Sequence, residues 1–292
     1  MSSSAVSQVR VWVNGALVAP HEPAIAALDH GVTVGDGAFE TCKVDGGQVF
    51  AATRHAERLD RTLAGLGLPA ADHSYIAEGV KAVLSAAEPL DFGRLRYSVT
   101  GGAGPLGSDR DSSPLTYIVT AGPQPRPPAS AGVAVVPWVR NERSPVAGLK
   151  TTSYAENVVA LAHAKERGAI EALFANTRGE LCEGTGSNVF VVRDGVVWTP
   201  PLDSGCLAGV TRALTVEWCR ADGLEVREEP LALAVLEECD EVFLTSSTKD
   251  VLAVDRVVGP PGEAPERALE PGPVTARARE VFARESARNL DP

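Results

Sequence analysis

Hydrophobic residues in the first part of the chain follow first the period of strands and then the period of helices. Short apolar segments on either side of glycine-containing turns predict hairpins. Apolar residues that recur three or four positions apart predict amphipathic helices. In chain order, the predicted elements are a hairpin at Asn14-Gly15, a hairpin at 45–47, helices over 56–66 and 76–87, and strands over 94–100 and 115–121. This order predicts a small α+β domain.

The second part of the chain alternates between blocks of strands and blocks of helices. Strand-type segments are predicted over 133–138, 172–199, 241–246 and 251–258, and helices over 155–167, 211–221, 231–238 and 274–287. Because these elements do not repeat as βαβ units, an α+β architecture is favoured over a doubly wound parallel sheet.

A proline-rich segment separates the two parts. Four prolines fall within residues 122–130, a composition typical of a stiff, extended linker. We therefore predict a small N-terminal α+β domain over 1–121, an interdomain linker over 122–131 and a larger C-terminal α+β domain over 132–292.

Charge and composition exclude several classes of function. The 292 residues carry a formal net charge of −11. Nucleic acid and anionic membrane surfaces both bind basic faces, so neither is predicted as a partner. No apolar segment approaches the roughly 20 residues of a membrane span. The first residues also show no basic segment followed by a long apolar one, so no secretion signal is predicted.

The cysteines and histidines predict neither a disulfide framework nor a metal site. The five cysteines are odd in number and form no C-x-x-C pair, and the five histidines show no metal-ligand spacing. A reducing cytoplasm is therefore the expected location.

Lysine is scarce, and the position of one lysine is informative. Only five of the 27 basic residues are lysines, and Lys150 directly follows the apolar residue Leu149. Ser153 and Glu156 form a capping-box pattern, which predicts that a helix begins at about Tyr154. Apolar surroundings favour the neutral amine that can form a Schiff base. The segment alone is also compatible with a solvated lysine in a loop.

A carboxylate and several anion-binding segments are the other candidates. Glu183 precedes a turn of small residues between two apolar strands, so it is predicted to be half-buried and to need a partner; a bulge that turns Glu183 to solvent is the alternative. Val210 and Thr211 open a predicted helix, whose first N–H groups suit phosphate. Arg58 and the hydroxyls over 245–248 suit the same anion, although surface residues, helix caps and strand-end turns have similar patterns.

The segment 102–107 matches the dinucleotide pattern G-x-G-x-x-G, but a loop sequence follows it. A dinucleotide's pyrophosphate sits at a helix N-terminus, so the pattern does not predict nucleotide binding here. The chain also lacks the P-loop pattern G-x-x-x-x-G-K-[ST].

Six segments, taken together, resemble one enzyme family. They are LDHG…GDGAFET at 28–41, HAERL at 55–59, GLK at 148–150, EGTGSNVF at 183–190, LAGVTR at 207–212 and EVFLTSS at 241–247. In this order and spacing, the chain resembles the fold-type IV pyridoxal-phosphate enzymes, the class IV aminotransferases, from about residue 11 to residue 258. The family includes D-amino-acid aminotransferases, branched-chain aminotransferases and 4-amino-4-deoxychorismate lyases.

The resemblance implies a role for each candidate residue. Lys150 is implied to form the Schiff base with pyridoxal 5'-phosphate and to move the substrate proton. Glu183 is implied to face the pyridine nitrogen, and Tyr154 is implied to form a hydrogen bond with the 3′-oxygen carried by the ring. The residues implied to hold the phosphate are Arg58, Val210, Thr211 and Ser247. The family also implies a homodimer, with the active site between the two domains and a loop from the partner subunit over it.

The residues around these motifs favour transamination. The sequence Phe39-Glu40-Thr41 is similar to the aminotransferase form, whereas the lyases usually have a threonine at the position of Glu40. Well-studied D-amino-acid enzymes carry a tyrosine, an arginine and a histidine at the positions of Val32, Leu106 and Ser108. Branched-chain enzymes usually have a tyrosine at the position of Val34. The chain therefore has the specificity residues of neither group at these positions.

We therefore predict transfer of an amino group between an amino acid, with D-amino acids favoured, and a 2-oxo acid. Pyruvate elimination from 4-amino-4-deoxychorismate is the alternative; branched-chain L-amino-acid transamination and cofactor binding without turnover are further ones. Arg96, Arg140 and Arg143 are the candidates for binding the substrate carboxylate, although surface positions are also compatible with their sequence contexts.

Overall fold

The computed structural model describes residues 8–259 and 266–292. By its internal contacts, the chain divides into two units. The first unit runs to Arg126 and includes Leu149–Tyr154 and Leu290–Pro292, and the second comprises Pro127–Gly148 and Ala155–Asn289. Residues 1–7, which begin the segment where no secretion signal is predicted, lie outside the described residues.

The first unit combines helices with one antiparallel sheet. Its helices are α1 (His30–Thr33), α2 (Ala52–Leu66) and α3 (His73–Ser85), and its strands are β1 (Arg10–Val13), β2 (Ala16–Val18), β3 (Gly37–Asp45), β4 (Gln48–Val49), β5 (Phe92–Thr100) and β6 (Thr116–Pro123). Among the described residues, the six strands are ordered β2-β1-β6-β5-β3-β4. Both predicted hairpins and both predicted helices are present, which confirms the α+β prediction for this part of the chain.

Helices α2 and α3 bury their apolar faces in the core of the first unit. Leu59 and Leu63 of α2 are fully buried in the same cluster as Trp12 of β1. The approach of α3 to β1 requires a glycine, because a Cβ atom at Gly79 would lie 2.7 Å from the Trp12 ring. Since α2 also carries Arg58, its packing fixes the position of that side chain.

Residues near the end of the chain stabilise the start of α2. Ala51 precedes the helix in a left-handed conformation, with a φ of 55°, and has no capping side chain. The Asp291 carboxylate instead accepts hydrogen bonds from the Thr53 amide at 2.8 Å and from the Thr53 hydroxyl at 2.6 Å. These contacts supply the partners that a helix start needs and place Leu290–Pro292 in the first unit.

The second unit is built on a larger, mixed sheet. Its strands are β7 (Ser130–Arg140), β8 (Glu171–Asn176), β9 (Leu181–Gly184), β10 (Asn188–Arg193), β11 (Val196–Thr199), β12 (Val226–Glu228), β13 (Glu241–Ser246), β14 (Asp250–Val258) and β15 (Arg267–Ala268). In the part of the chain that the structure describes, their order is β12-β11-β10-β13-β14-β7-β8-β9, with β15 paired to β14. The pairs β7–β8, β7–β14 and β11–β12 are parallel, and the others are antiparallel.

Helices cover the sheet of the second unit. They are α4 (Ala155–Glu166), α5 (Val210–Ala221), α6 (Val235–Glu238) and α7 (Pro273–Arg288). Helix α4 packs on β7 and β8, whereas α5 and α7 pack on each other and on β13. Phe190 of β10 and Phe243 of β13 stack in the core with ring centroids 4.7 Å apart. Strands and helices in separate blocks confirm the α+β prediction here as well.

The linker and the helix predicted over 231–238 are both shorter in the structure than in the prediction. Gly122 and Pro123 extend β6 and Ser130 begins β7, so only residues 124–129 of the predicted linker connect the two strands. Pro123 lies at the end of its strand, where a missing N–H interrupts little of the ladder. The helix predicted over 231–238 is limited to Val235–Glu238, because the preceding residues pair with the backbone around β9.

The segment that carries Lys150 belongs to the first unit, although the sequence prediction places it in the C-terminal domain. The Phe39 amide donates to the Lys150 carbonyl at 3.0 Å, and Thr151 forms a bridge with Ala38. These bonds extend the edge of β3 with residues that follow it by more than a hundred positions, a pairing that local sequence patterns do not indicate.

The helix after Lys150 begins at Ala155, one residue later than the capping-box pattern predicts. The Ser153 hydroxyl donates to the Gly35 carbonyl at 3.0 Å, and Glu156 forms an ion pair with Arg140 at 3.1 Å. Both side chains of the pattern are thus engaged in tertiary contacts.

All five cysteines are buried free thiols, and buried cysteines of this kind pack as small apolar residues. Across 8–259 and 266–292, no helix combines the length and the apolar composition needed to cross a bilayer.

Candidate active site

The predicted site residues are divided between the two units. Those in the first unit are Lys150, Arg58, Tyr154 and Arg96, and those in the second are Glu183, Val210, Thr211, Ser247, Arg140 and Arg143. In the first unit, three of the four residues meet around one aromatic ring.

That ring belongs to Phe39 of β3. The Lys150 Nζ atom lies 4.4 Å from the ring centroid, and the guanidinium carbon of Arg96 lies 3.7 Å from it. The Tyr154 ring packs against the Phe39 ring in an edge-on arrangement, with centroids 5.3 Å apart. Phe39 is only 3% exposed, so a rigid ring holds the lysine, the arginine and the tyrosine together.

The backbone of Lys150 is held by two elements of the first unit. Besides the bond from Phe39 of β3 to its carbonyl, its own amide donates to the Thr62 hydroxyl of α2 at 3.3 Å. The preceding Leu149 packs so closely on α2 that a Cβ atom at Gly65 would lie 2.8 Å from its methyl groups. Movement of Lys150 is therefore confined to its flexible side chain.

Arg58 is bound by a buried carboxylate that the sequence analysis did not connect with it. Glu40 accepts hydrogen bonds from Arg58 Nε at 2.8 Å and Nη2 at 2.6 Å, and from His55 Nδ1 at 2.7 Å. Burial raises the pKa of Glu40, but the charge of Arg58 and the hydrogen bonds from Arg58 and His55 outweigh it, so the pKa falls to about 2. Burial also lowers the pKa of His55. The bidentate pair gives the guanidinium of Arg58 a fixed orientation.

Replacing Glu40 by glutamine is expected to destabilise the protein strongly at neutral pH and much less in acid. Because the folded-state pKa lies below the ordinary value of 4.5, ionised Glu40 stabilises the fold above about pH 4.5, and this contribution is lost as the pH falls toward 2. Urea unfolding of the apoprotein at several pH values measures the effect. The difference in free energy of unfolding between the unsubstituted protein and Glu40→Gln should shrink below pH 4.5, and a pH-independent difference would contradict this role.

Glu183 of β9 is held by a backbone amide and by an arginine. The Leu207 amide donates to Glu183 Oε2 at 2.9 Å, and Arg140 Nε lies 3.5 Å from Glu183 Oε1. Arg140 packs over the Phe174 ring at 4.3 Å and donates to the Asn157 side chain. The Glu183 side chain is 13% exposed, so it is oriented within the second unit rather than directed to solvent.

The loop between Leu207 and α5 is shaped by Asn188 of β10. The Asn188 side-chain amide donates to the Leu207 carbonyl at 2.9 Å, and a Cβ atom at Gly209 would lie 2.0 Å from Asn188 Oδ1. Only glycine fits at this position, directly before α5. Since Gly209 brings no side chain to cap the helix, the first backbone N–H groups, at Val210 and Thr211, meet the requirement of an anion-binding terminus.

Ser247 lies in the turn between β13 and β14, which the Lys249 amide closes by donating to the Ser246 carbonyl at 3.1 Å. Thr245 of β13 pairs with Asn188 of β10, and opposite side chains in an antiparallel pair share a face. The buried Thr245 hydroxyl has no hydrogen-bond partner among the described residues. Such an orphaned polar atom, on the face that shapes the α5 loop, indicates a place for a polar ligand.

Arg96 differs from the other two arginines that were predicted to bind substrate. Its guanidinium covers the Phe39 ring, and its Nε atom lies 3.4 Å from the Ser98 hydroxyl. Within the described residues, no carboxylate lies at ion-pair distance from Arg96, so none of them balances its charge. A half-buried, uncompensated guanidinium is suited to bind a carboxylate.

Arg140 and Arg143 have other surroundings. Arg140 is engaged by Glu183, Glu156 and Asn157, so it orients protein side chains. The Arg143 side chain is 82% exposed and lies near Glu142 at 3.6 Å, which agrees with the surface alternative.

The residues that position the site were missed in the sequence analysis. Phe39, Glu40 and Asn188 all stand inside the quoted motifs, but none of them was predicted to hold another residue of the site. Their place within the motifs was the signal that could have identified them as residues that position the site. No comparable signal indicated the contact between Arg140 and Glu183, which lie on strands far apart in sequence.

Comparison with known proteins identifies the family. Residues 37–257 match the family described as amino-transferase class IV. The chain is 31% identical over 258 residues to a Methanocaldococcus jannaschii protein assigned provisionally as a branched-chain-amino-acid aminotransferase, covering 86% of this chain and 88% of that protein. It is 28% identical over 298 residues to the D-alanine aminotransferase of Listeria innocua, covering 96% of this chain and 97% of that protein.

A solved structure shows the same fold. A hypothetical aminotransferase from Mycobacterium tuberculosis, in its PLP-bound form, has a TM-score of 0.82 and 26% identity, covering 97% of this chain and 100% of that one. The family match spans the segments that carry Arg58, Lys150, Glu183 and Ser247. The chain therefore belongs to the class IV aminotransferases, the family that its sequence motifs resemble.

Proposed function

We propose that this aminotransferase moves an amino group between a D-amino acid and a 2-oxo acid, with Lys150 as the residue that transfers the proton. The enzyme uses pyridoxal phosphate, a group that captures the substrate amine and accepts the electrons released at Cα. The observation that carries the proposal is the family match over 37–257, which includes a Lys150 fixed beside Phe39 and Arg96.

Each unit, taken by itself, contains donors that suit a phosphate group. In the second unit, the start of α5 at Val210 and Thr211, the orphaned Thr245 hydroxyl and the Ser247 turn offer neutral N–H and O–H donors. In the first unit, the guanidinium of Arg58 is held rigidly by Glu40. The family match over 37–257 supports Arg58, Val210, Thr211 and Ser247 as the residues that hold the phosphate.

Lys150 is suited to carry the cofactor and to move a proton. Its backbone is held while its side chain lies over Phe39, so its amine would take up a proton from the substrate and return it within a fixed frame. Tyr154 packs against the Phe39 ring as well, which supports the proposal that its hydroxyl forms a hydrogen bond with the 3′-oxygen of the cofactor.

Glu183 is proposed to hold the proton on the pyridine nitrogen. The Leu207 amide and Arg140 orient its carboxylate from two sides. A carboxylate fixed in this way would hold a proton on the ring nitrogen of the bound cofactor.

Arg96 is proposed to bind the substrate carboxylate. Its charge is half-buried and not balanced by a described acidic residue, and it shares the Phe39 ring with Lys150. An amino-acid substrate supplies the anion that such a guanidinium requires. The D-alanine aminotransferase from Listeria innocua, which matches over nearly the whole of both chains, supports the preference for D-amino acids.

We further propose that the enzyme acts as a homodimer in the cytoplasm. Trp138 and Val139 of β7 and Val158 and Val159 of α4 expose large apolar side chains on neighbouring elements. Apolar residues grouped on a surface are typical of an interface with another chain. The five buried thiols are compatible with a reducing compartment.

The substrate class is tested by mixing the holoenzyme with single amino acids in the absence of an oxo acid. D-Alanine or D-glutamate is expected to convert the yellow cofactor to its pyridoxamine form, and an added oxo acid should restore the colour. The L-enantiomers should react more slowly. Absorbance measured over time in a stopped-flow instrument gives the rates.

Other outcomes of the same panel identify the alternatives. If L-leucine and L-isoleucine react fastest, the substrate is a branched-chain L-amino acid, as the Methanocaldococcus jannaschii relative suggests. If no amino acid changes the colour and 4-amino-4-deoxychorismate yields pyruvate and 4-aminobenzoate, the enzyme is a lyase.

A further inference from the structure

Glu171, the first residue of β8, is a buried carboxylate with four donors. It accepts hydrogen bonds from the Ser187 hydroxyl at 2.6 Å, from the Gly186 amide at 3.2 Å and from the Thr185 hydroxyl. Lys249 forms an ion pair with the same carboxylate. Buried ion pairs are often no more stabilising than apolar residues of the same volume, so such an arrangement points to a role in orientation.

The four donors come from two turns of the second unit. Residues 185–187 form the turn between β9 and β10 and begin two positions after Glu183. Lys249 closes the turn between β13 and β14 that contains Ser247. Because Asn188 at the start of β10 pairs with Thr245 near the end of β13, both turns lie at the same end of the sheet. The Glu171 side chain therefore connects them.

The turn after Glu183 is also fixed from a second direction. The Asn157 side chain of α4 donates to the Thr185 carbonyl at 2.7 Å, and the Gly184 amide donates to the Ser187 carbonyl at 2.7 Å. A Cβ atom at Gly184 would lie 3.1 Å from Glu171 Cγ, so a glycine permits the carboxylate to approach the turn closely.

We propose that Glu171 and Lys249 are positioning residues, which hold the Glu183 strand and the Ser247 turn at the separation that the ring nitrogen and the phosphate of one cofactor require. The inference rests on the roles proposed above for Glu183 and Ser247. Lys249, one of only five lysines in the chain, thereby receives a positioning role. A compact ammonium on a flexible stem fits beside a carboxylate already bound by hydroxyls, where a planar guanidinium would need a wider opening.

The ion pair between Glu171 and Lys249 is present throughout the neutral pH range. Burial raises the pKa of Glu171, but the charge of Lys249 and the hydrogen bonds from Lys249, Ser187 and Thr185 outweigh it, so the pKa is lowered. The carboxylate therefore stays ionised at neutral pH, and the two turns stay connected.

The test compares Glu171→Gln with Glu241→Gln, a matched control. Glu241 is also a buried carboxylate of the second unit, but it accepts the Val274 and Thr275 amides at the start of α7. We expect Glu171→Gln to raise the dissociation constant for pyridoxal phosphate roughly 10- to 100-fold, by analogy with the loss of residues that orient metal ligands. It should also shift the pH at which the visible absorbance of the bound cofactor changes, because Glu183 is displaced. Glu241→Gln should lower the melting temperature without either effect.

A double variant separates positioning from the burial of an unpaired charge. Glu171→Gln leaves the Lys249 ammonium without its carboxylate, whereas Glu171→Gln with Lys249→Met removes both charges. The double variant should recover the melting temperature while the dissociation constant stays high. A dissociation constant that returns to that of the unsubstituted enzyme, or a Glu171→Gln variant that binds and titrates normally, would overturn the proposal. Glu183→Gln is the reference: if it too leaves the absorbance titration unchanged, the role proposed for Glu183 fails instead.

Discussion

Replacement of Lys150 by alanine is expected to abolish transamination, with a loss of roughly 10⁴-fold or more in turnover. The substitution removes the amine that is proposed to carry the cofactor and to move the proton. The fold should persist, because the backbone of residue 150 is held by the Phe39 amide and the Thr62 hydroxyl, neither of which depends on the side chain. Turnover with the best substrate of the panel, measured beside the melting temperature, checks both statements.

The matched control is Lys165→Ala, which removes an exposed lysine of α4 and should leave turnover and colour unchanged. Borohydride reduction of the unsubstituted holoenzyme, followed by peptide mapping, should place a pyridoxyl group on Lys150 alone. Label on Lys43, Lys81, Lys165 or Lys249 would show that the lysine was assigned wrongly, as would a Lys150→Ala variant that retains full turnover.

Hydrophobic periodicity predicted the elements of both units because most of them bury one face against a sheet. The spacing of Leu59 and Leu63 predicted α2, and both residues are fully buried. The pattern failed where pairing at long range decides the structure. Residues 231–232 fit a helical spacing, yet they pair with the backbone around β9 instead. Likewise, no local pattern indicates that the Lys150 segment joins β3 of the first unit.

The sequence predicted which residues belong to the site better than it predicted the contacts that hold them. Motif order and spacing singled out Lys150, Arg58 and Glu183 because these chemistries need particular residue types. The side chains that hold them were not predicted, since hydrogen bonds between distant strands leave no trace in local sequence. Arg140 illustrates this point: a basic residue before the lysine suggested a substrate contact, but three different elements supply its partners.

In the structure, Glu40 is a weaker indicator of the reaction type than in the sequence. In the sequence, Glu40 favours transamination, because lyases of the family usually have threonine there. Its two carboxylate oxygens are bound by Arg58 and His55 and are fully buried. Glu40 therefore acts on the orientation of Arg58, and its bearing on the reaction type is indirect. Arg96, which carries an unbalanced charge beside Lys150, is the stronger indication of an amino-acid substrate.

Replacement of Glu183 by glutamine is expected to slow the half-reaction by 10²- to 10³-fold while leaving most of the cofactor affinity intact. A neutral amide can still accept the hydrogen bond from the Leu207 amide, so the loop before α5 should keep its shape. The amide cannot hold a proton on the pyridine nitrogen, and losing one electrostatic partner of the transition state typically costs about 3–4 kcal/mol. Arg140 would also lose its partner at 3.5 Å, but it keeps Glu156, Asn157 and the Phe174 ring.

The control for this variant is Glu180→Gln, three residues earlier in the same hairpin. Glu180 is a partly exposed carboxylate that accepts hydrogen bonds from Asn176 and Arg178, so its loss tests the hairpin without changing the charge that faces the cofactor. Single-turnover rates with a saturating amino acid, and dissociation constants for pyridoxal phosphate, should separate the two variants. Glu180→Gln should retain the rate of the unsubstituted enzyme. A Glu183→Gln enzyme that does the same would mean that Glu183 serves the Leu207 loop and Arg140 alone, and that another group protonates the ring.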